Sequence, residues 1–514
     1  MRPPRKCGDS IRWRQYSTWL PEPRRETGAE TSSGCWRACH AIVFAWDRTS
    51  LRGRHLPAWK RKPMPKTAER KAPSTLRRLA EDATGTFGTR LVTMALGLGT
   101  GIITARALGP EGRGIFSLAA LFPASVVTLS KFGQGIASVY FIRRERQDPG
   151  QIAANDLAVA VVVGTFLMLA ALLASPWLLG SVLRGVPFWA LAVMLPIIPV
   201  LLTESYLYGV LQATDRFRVY NTRLLAESIL TLTGMAVVLL WWRLGLPGAL
   251  AVVVSIRVAM AVWVVVTIHR TSPLTWRFDG DLFRRMLRYG LKSHVQIIAS
   301  HFHFKADIYL LAYFLDPARV AFYVIAARLA EHILYVPQSL GLALFPRLAG
   351  SQEEQAHRMT AAACRQTLLV TALLAAFVTL VGRPLIVAWY GQAFAPAAQP
   401  LGYIAVGIVM MSLYVLLSRN FTSRDRQRIN IIAAYLALGG NLALNCVLIP
   451  RHGIVGAAVA TMISYSLAAV LLLGFFLRES GLSLREVLVV SRSDVAMWGR
   501  LASELRAAVR PAKA

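Results

Sequence analysis

Several ionisable side chains in this chain stand inside long apolar stretches, where each must have a reason to be. His294, His301 and Lys305 follow steps of seven and four, so on a helix they share one face. Asp307 lies just beyond them. Arg328, Glu331 and His332 fall within about one helical turn. Arg90, Glu204 and Arg257 stand in other apolar runs, and Arg223 and Glu227 form an i,i+4 pair. Charges at such positions are costly and face a cavity or a partner. Arginine grips phosphate oxygens through a planar fork and lysine acts as a point charge. Arg90, Arg257, His301, Lys305 and Arg328 are therefore the candidate anion-binding residues. Glu204, Asp307 and Glu331 are the candidates for carrying a proton or a sodium ion. A structural reading competes with both. Arg223 with Glu227, and Arg328 with Glu331 or His332, could be neutralised helix pairs, while Lys131, Lys292 and His294 sit near a stretch end and could snorkel.

No constellation for catalysis emerges. His301 and His303 are two residues apart and point to different sides of a helix, which makes a poor chelate. Cys35, Cys39 and His40 match no strong zinc spacing. Cys7 stands apart, and Cys364 and Cys446 read as small apolar residues. The expectation is a protein that is not an enzyme, with no metal and no cofactor. Gly97 and Gly101 have the GxxxG spacing that permits close helix approach. Pro196, Pro199, Pro337 and Pro346 interrupt helical stretches and offer bending points. Trp241, Trp242, Trp263 and Tyr390 read as interface anchors. Tyr206 and Tyr208 could stack on sugar, but packing accounts for them more simply.

The elements that carry these residues are set by composition. Of 514 residues, 55% are hydrophobic and 16% charged, against about 25% charged in soluble domains. Charges crowd into the first 80 or so residues and into short clusters, leaving apolar runs of about 20 residues, the length a helix needs to cross a bilayer. In lipid the backbone must satisfy its own hydrogen bonds, so these runs are helices. The expected fold is all-α and polytopic, with about twelve spans. They fall near 86–107, 114–136, 156–179, 187–211, 223–242, 248–268, 290–314, 320–346, 365–388, 400–418, 429–449 and 453–477. Alternate loops hold the arginines: Arg143, Arg144 and Arg146; Arg216 and Arg218; Arg277 to Arg288; Arg347 and Arg358; Arg424 to Arg428; Arg478, Arg485 and Arg492. The remaining loops carry singles such as Arg113 and Arg319. The positive-inside rule then puts both termini in the cytoplasm and the chain in the inner membrane. The net charge of +30 flanks apolar segments in this way and does not signal nucleic-acid binding. Residues 1–82 are expected to be a basic, disordered segment, with 1–63 a dispensable tail or an over-long gene start and Thr75–Glu81 a short surface helix. Two lobes (83–270 and 289–478), a linker at 271–288 and a basic tail at 479–514 complete the division.

The two halves of the chain align with each other. Ala107–Ala120 lies over Phe314–Ala327, Gly245–Ala251 over Gly453–Val459, and Asp215–Arg218 over Asp425–Arg428. A nearly constant shift of about 210 residues implies parallel repeats related by an axis along the membrane normal, with a seam between two pseudo-symmetric six-helix lobes. Secondary transporters place substrate at such a seam. Large outside loops, which membrane glycosyltransferases use to hold catalytic groups, are lacking.

The segment from Ile103, ITARALGPEGRGIFSLA, resembles the first hairpin of polysaccharide flippases. The segment from Asp307, DIYLLAYFLDPARVAFYVIAARLAEHILYVPQSLGLALFPRLA, resembles their seventh and eighth helices. Both place the chain beside the multidrug/oligosaccharidyl-lipid/polysaccharide exporter superfamily over about residues 83–477. The resemblance implies export of a polyprenyl-pyrophosphate-linked oligosaccharide by alternating access around a cationic cavity, which the five cationic candidates would line. It implies membrane lipids, a polysaccharide polymerase and glycosyltransferases as partners. The same superfamily holds lipid II flippases and drug antiporters, and a transport-inactive scaffold is a further alternative. Lipid II flippases often carry two further helices, whereas this chain stops after the twelfth expected span. A drug antiporter prefers an anionic cavity.

Overall fold

The computed structural model describes residues 72–490 except Trp276, and side chains from Gly88 onward except those of Lys292 and Gln296. The Cys35, Cys39 and His40 group, residues 1–63 and Arg492 lie outside the described residues. Among the described residues there is no strand. The helices are α1 (Ala72–Ser130), α2 (Gln134–Arg143), α3 (Pro149–Leu173), α4 (Ser175–Gly180), α5 (Phe188–Met194), α6 (Ile197–Ala213), α7 (Phe217–Ala236), α8 (Gly245–Thr271), α9 (Gly280–Phe314), α10 (Pro317–Glu331), α11 (Tyr335–Ala349), α12 (Glu353–Tyr390), α13 (Ala398–Ser423), α14 (Gln427–Ser480) and α15 (Leu484–Leu488). Thr75–Glu81 is helical as the opening of α1, not as a separate element.

Nine helical stretches among the described residues are long and apolar enough to cross a membrane. Two of the nine are broken by a kink. Proline disfavours helical backbone in the residue before it, and Gly109, preceding Pro110, takes φ +68 and splits α1 into two arms. Gly453 does the same to α14 with φ +58. The 35-residue α9, made polar by His301, His303, Lys305 and Asp307, is not among the nine. Leu173, Trp241 and Leu380 are each more than four-fifths exposed, an apolar exterior that only lipid would satisfy. The chain is a multi-pass membrane protein.

The duplication is visible in the backbone. Asp215 and Asp425 both adopt left-handed φ, +56 and +59. Arg216 N donates to Leu211 O and Arg426 N to Phe421 O; Asp215 N donates to Gln212 O and Asp425 N to Thr422 O. These are the same C-terminal caps, closing α6 and α13. Gly245 at φ +59 starts α8 where Gly453 bends α14. Three residues after each of these, Gly248 and Gly456 are packed so tightly that a Cβ would meet the side chain of Leu244 or of His452.

The halves meet along the second arm of α1 and α9. Gly133, left-handed at φ +69, and Gly290 approach so closely that a Cβ on Gly133 would lie 2.3 Å from Gly290 O. His294 Nε2 is 2.8 Å from Leu129 O, His301 Nε2 is 2.9 Å from Ser125 Oγ, and Tyr309 donates to the same hydroxyl at 2.6 Å. His294 is thus buried between the halves and does not snorkel. At the opposite end of the bundle, a Cβ on Gly114 would lie 1.8 Å from Pro317 O. Arg106 there donates to Trp389 O at 2.8 Å and Ala388 O at 2.5 Å, the free carbonyls at the end of α12.

Candidate functional site: two stacked cavities between the halves

Between the first arm of α1 on one side and α9 to α11 on the other lies a cavity of about 710 Å³. Its wall includes Thr93, Gly97, Thr128, Ser300, His301, Lys305, Arg328, Glu331, His332 and Gln338. A second cavity of about 340 Å³ lies nearer the Pro317 end, walled by α1, α7, α8, α10 and the end of α12. Arg113, Glu227, Arg257, Arg328 and Tyr390 line it. Thr93, Gly97 and Arg328 belong to both walls, so the cavities are stacked and meet at Arg328.

Lys305 of α9 pairs with Glu331 of α10 at 3.3 Å in the lower cavity. Arg328 makes neither of the helix pairs considered for it; its carbonyl oxygen accepts from His332 Nδ1, and among the described residues no carboxylate pairs with its guanidinium. His332 turns in because residues 332–334 tighten into a 3₁₀ turn between α10 and α11, three residues before Pro337. Gly97 and Gly101 leave room on the α1 wall. A Cβ on either would stand 3.9 Å from Arg328 Nη2 or from the Tyr390 hydroxyl. Both face the cavities and not a packed helix.

In the upper cavity, Arg257 bridges Glu204 at 3.2 Å and Glu227 at 2.7 Å. Behind it Arg223 closes the square, with Glu204 at 2.5 Å and Glu227 at 2.9 Å. Arg223 also lies 4.9 Å over the Tyr208 ring, which gives Tyr208 a packing role. Arg113 was absent from the candidate set, yet it is buried in this wall with Nε lacking a hydrogen-bond partner. Its guanidinium lies 5.3 Å from the Phe116 ring. Arg113 and Arg328 come from different halves, line one chamber, and neither has an ion-pair partner among the described residues. A buried guanidinium, Arg113, and an exposed one, Arg328, facing one chamber favour an anion between them.

Three of the candidates stand off the open cavity walls. Arg90 is exposed and lines neither cavity; its carbonyl accepts from Thr93, the residue that does. Glu204 is locked between two arginines. Asp307 is buried inside the second half, accepting from the Tyr323 hydroxyl and from Thr461 at 3.4 Å, behind the Lys305 and Glu331 of the lower cavity wall. Arg257, His301, Lys305, Arg328 and Glu331 do come together around the seam. His303 faces away from His301 and stacks on Tyr465 at 4.9 Å. Tyr390 is a cavity wall and not an interface anchor, whereas Trp241 and Trp242 are outward-facing. Tyr206 is fully buried, its hydroxyl 3.4 Å from Ser130 O.

The chain is similar to a probable low-salt glycan biosynthesis flippase of Haloferax volcanii, 26% identical over 192 residues, 37% of this chain and 41% of that protein. The chain thus spans about two-fifths of that relative's length. A putative O-antigen transporter of Shigella flexneri is 20% identical over 73% of this chain and 92% of the other. Among solved structures, the lipid II flippase MurJ in an inward closed conformation superposes with a TM-score of 0.67 at 14% identity, covering 82% of this chain and 92% of that one. An inward-facing multidrug resistance MATE family transporter gives 0.64 at 16% identity, covering 76% and 94%. These two likenesses are likenesses of fold. The sequence model described as polysaccharide biosynthesis protein matches residues 79–352, more than half the chain, and the chain belongs to that family.

Proposed function

We propose that the protein is a flippase that moves a polyprenyl-pyrophosphate-linked oligosaccharide from the cytoplasmic to the outer leaflet. The observation that carries this reading is the stacked seam cavity, whose combined wall holds Arg113, Arg257, Lys305 and Arg328 against Glu227 and Glu331. Four cations against two carboxylates suit a pyrophosphate, and Ser300, Gln338, Thr93 and Thr100 offer hydroxyl and amide groups to sugar. The names of the Haloferax and Shigella relatives support the substrate class. In this reading each bent helix, α1 and α14, crosses twice and α9 once, giving twelve crossings in two lobes. The arginine-rich Gly133 end, with both termini, faces the cytoplasm of the inner membrane. The head group passes Lys305, then Arg328, then Arg113, while the lipid tail stays in the bilayer. The polymerase and glycosyltransferases that use such substrates are the expected partners. A drug-cation antiporter is disfavoured by the same wall charges.

Complementation tests the reading. Deleting the gene should make lipid-linked oligosaccharide accumulate in the cytoplasmic leaflet. Wild type and Arg90→Ala should relieve the accumulation, while Arg328→Ala and Arg113→Ala should not, at equal protein levels. Surface glycan unchanged by the deletion, or full rescue by both cavity variants, refutes it.

A further inference from the structure

Away from the seam, the first half holds a carboxylate that none of the roles above uses. Asp156, on α3, is 0% exposed. Its Oδ2 lies 2.9 Å from the Ser138 hydroxyl of α2, and its Oδ1 has no hydrogen-bond partner. One turn before Ser138, on the same face of α2, Gln134 is 1% exposed, and neither its amide oxygen nor its amide nitrogen has a partner. Tyr206 of α6 lies close enough to feel the Asp156 charge; the charged groups on the elements around α3 are engaged elsewhere or face out. Arg143 of α2 pairs with Asp215. Glu204 of α6 and Arg257 of α8 pair with each other, Tyr208 packs under Arg223, and Tyr206 points its hydroxyl at Ser130 O. His269 and Arg270 of α8 are exposed.

A bare carboxylate with one neutral donor is among the costliest things a protein can bury. The Ser138 hydroxyl cannot lower that cost alone. It has one hydrogen, and that hydrogen is also within reach of Gln134 O at 2.9 Å. What this buried contact offers is oxygen: the Asp156 carboxylate and the Ser138 hydroxyl, with the unpartnered Gln134 amide one turn away on the same face of α2. Such a set suits a hard monovalent cation. We propose that the α2–α3 contact is a monovalent-cation site, filled by a proton or a sodium ion, in which Asp156 supplies the charge and Ser138 and Gln134 the remaining oxygens.

The position gives the site leverage. Gln134 follows directly on Phe132 and Gly133, the two left-handed residues that separate α1 from α2, and Gly133 is the residue pressed against Gly290 of the other half. A cation on Asp156 keeps α2 seated on α3 and so holds this joint where it meets α9. Losing the cation leaves an unneutralised charge that pushes α2 toward water. Coupling of transport to a cation gradient through this joint rests on the proposed flippase function; the site itself does not.

Infrared difference spectra of the purified full-length protein, wild type against Asp156→Asn, test the site. With a proton bound, wild type shows a carboxylic C=O band that the variant lacks and that fades as pH is raised. With sodium bound, wild type shows a carboxylate band that shifts when potassium replaces sodium, and the variant shows none. A carboxylate band lost in the variant but indifferent to both pH and sodium overturns the proposal. Ser138→Ala, which keeps the charge, should shift the band, and an unmoved band there also overturns it. In proteoliposomes, Asp156→Asn should flip substrate without responding to a proton or sodium gradient. Flipping absent from wild type would instead sink the transport reading and leave the infrared result standing.

Discussion

Replacing Arg223 by methionine tests whether the charged square beneath the upper cavity is structural. The side chain is 2% exposed and bonded to both Glu204 and Glu227. Without it, Glu204, itself 3% exposed, keeps only Arg257 at 3.2 Å. Arg257 is 33% exposed to the cavity, so water screens it and its hold on two carboxylates is discounted. Removing one partner of a buried pair costs about 3–5 kcal/mol, and the lost contact over Tyr208 adds about 1 kcal/mol. Arg223→Met should therefore destabilise by about 5 kcal/mol. Glu204→Gln in the same background deletes the stranded charge and should recover about 2 kcal/mol, because replacing both members of a buried pair costs far less than replacing one. The assay is denaturant unfolding in mixed micelles for wild type, both single variants and the double variant. A single-variant cost below about 1 kcal/mol, or costs that simply add in the double, refutes the reasoning.

Gly114→Ala cannot seat a Cβ 1.8 Å from Pro317 O, so the Pro317 end should part. A cysteine at Tyr390→Cys, in a chain lacking its other cysteines, should then react faster with an impermeant thiol reagent from that side; an unchanged rate counts against the seal. Gly245→Ala and Gly453→Ala each force an L-residue to positive φ, and each should cost about 1–2 kcal/mol in the same unfolding assay. If one is costly and the other neutral, the duplicated bends are not equivalent. The Ser483 hydroxyl and amide hold the Glu486 carboxylate below its ordinary value of 4.5. The cap they form on α15 should be intact above that value and lost as pH falls below it. Protease sensitivity of the tail would report the loss, and Ser483→Ala should move its onset to higher pH.

Much of this was legible in sequence because hydrophobic runs of bilayer length leave few alternatives, and because the two DR-x-R segments mark the same cap twice. The shared face of His301 and Lys305 followed from helical periodicity. Arg113 escaped because Gly109 and Pro110 punctuate like a loop, although the helix resumes at once and carries Arg113 a turn inside. Arg90 and Asp307 lie in long helices as expected, but a helix has several faces and hydropathy does not say which one turns to the seam. Glu204 was open to two roles, and its contacts with Arg223 and Arg257 form only in three dimensions. Gly97 and Gly101 have one spacing for two purposes, and what stands opposite them decides which.

The contacts from Gly133–Gly290 through His294, His301 and Tyr309 join the end of the second arm of α1 to the middle of α9. They act as the spine of a book whose covers are the two halves. Pages open widest at the edge farthest from the spine, which here is the margin where the first arm of α1 faces α10 and α11. The spine is stitched by hydroxyls, imidazoles and backbone carbonyls. Such bonds can trade partners as the covers turn, whereas a seam of interlocked leucines would have to be torn apart.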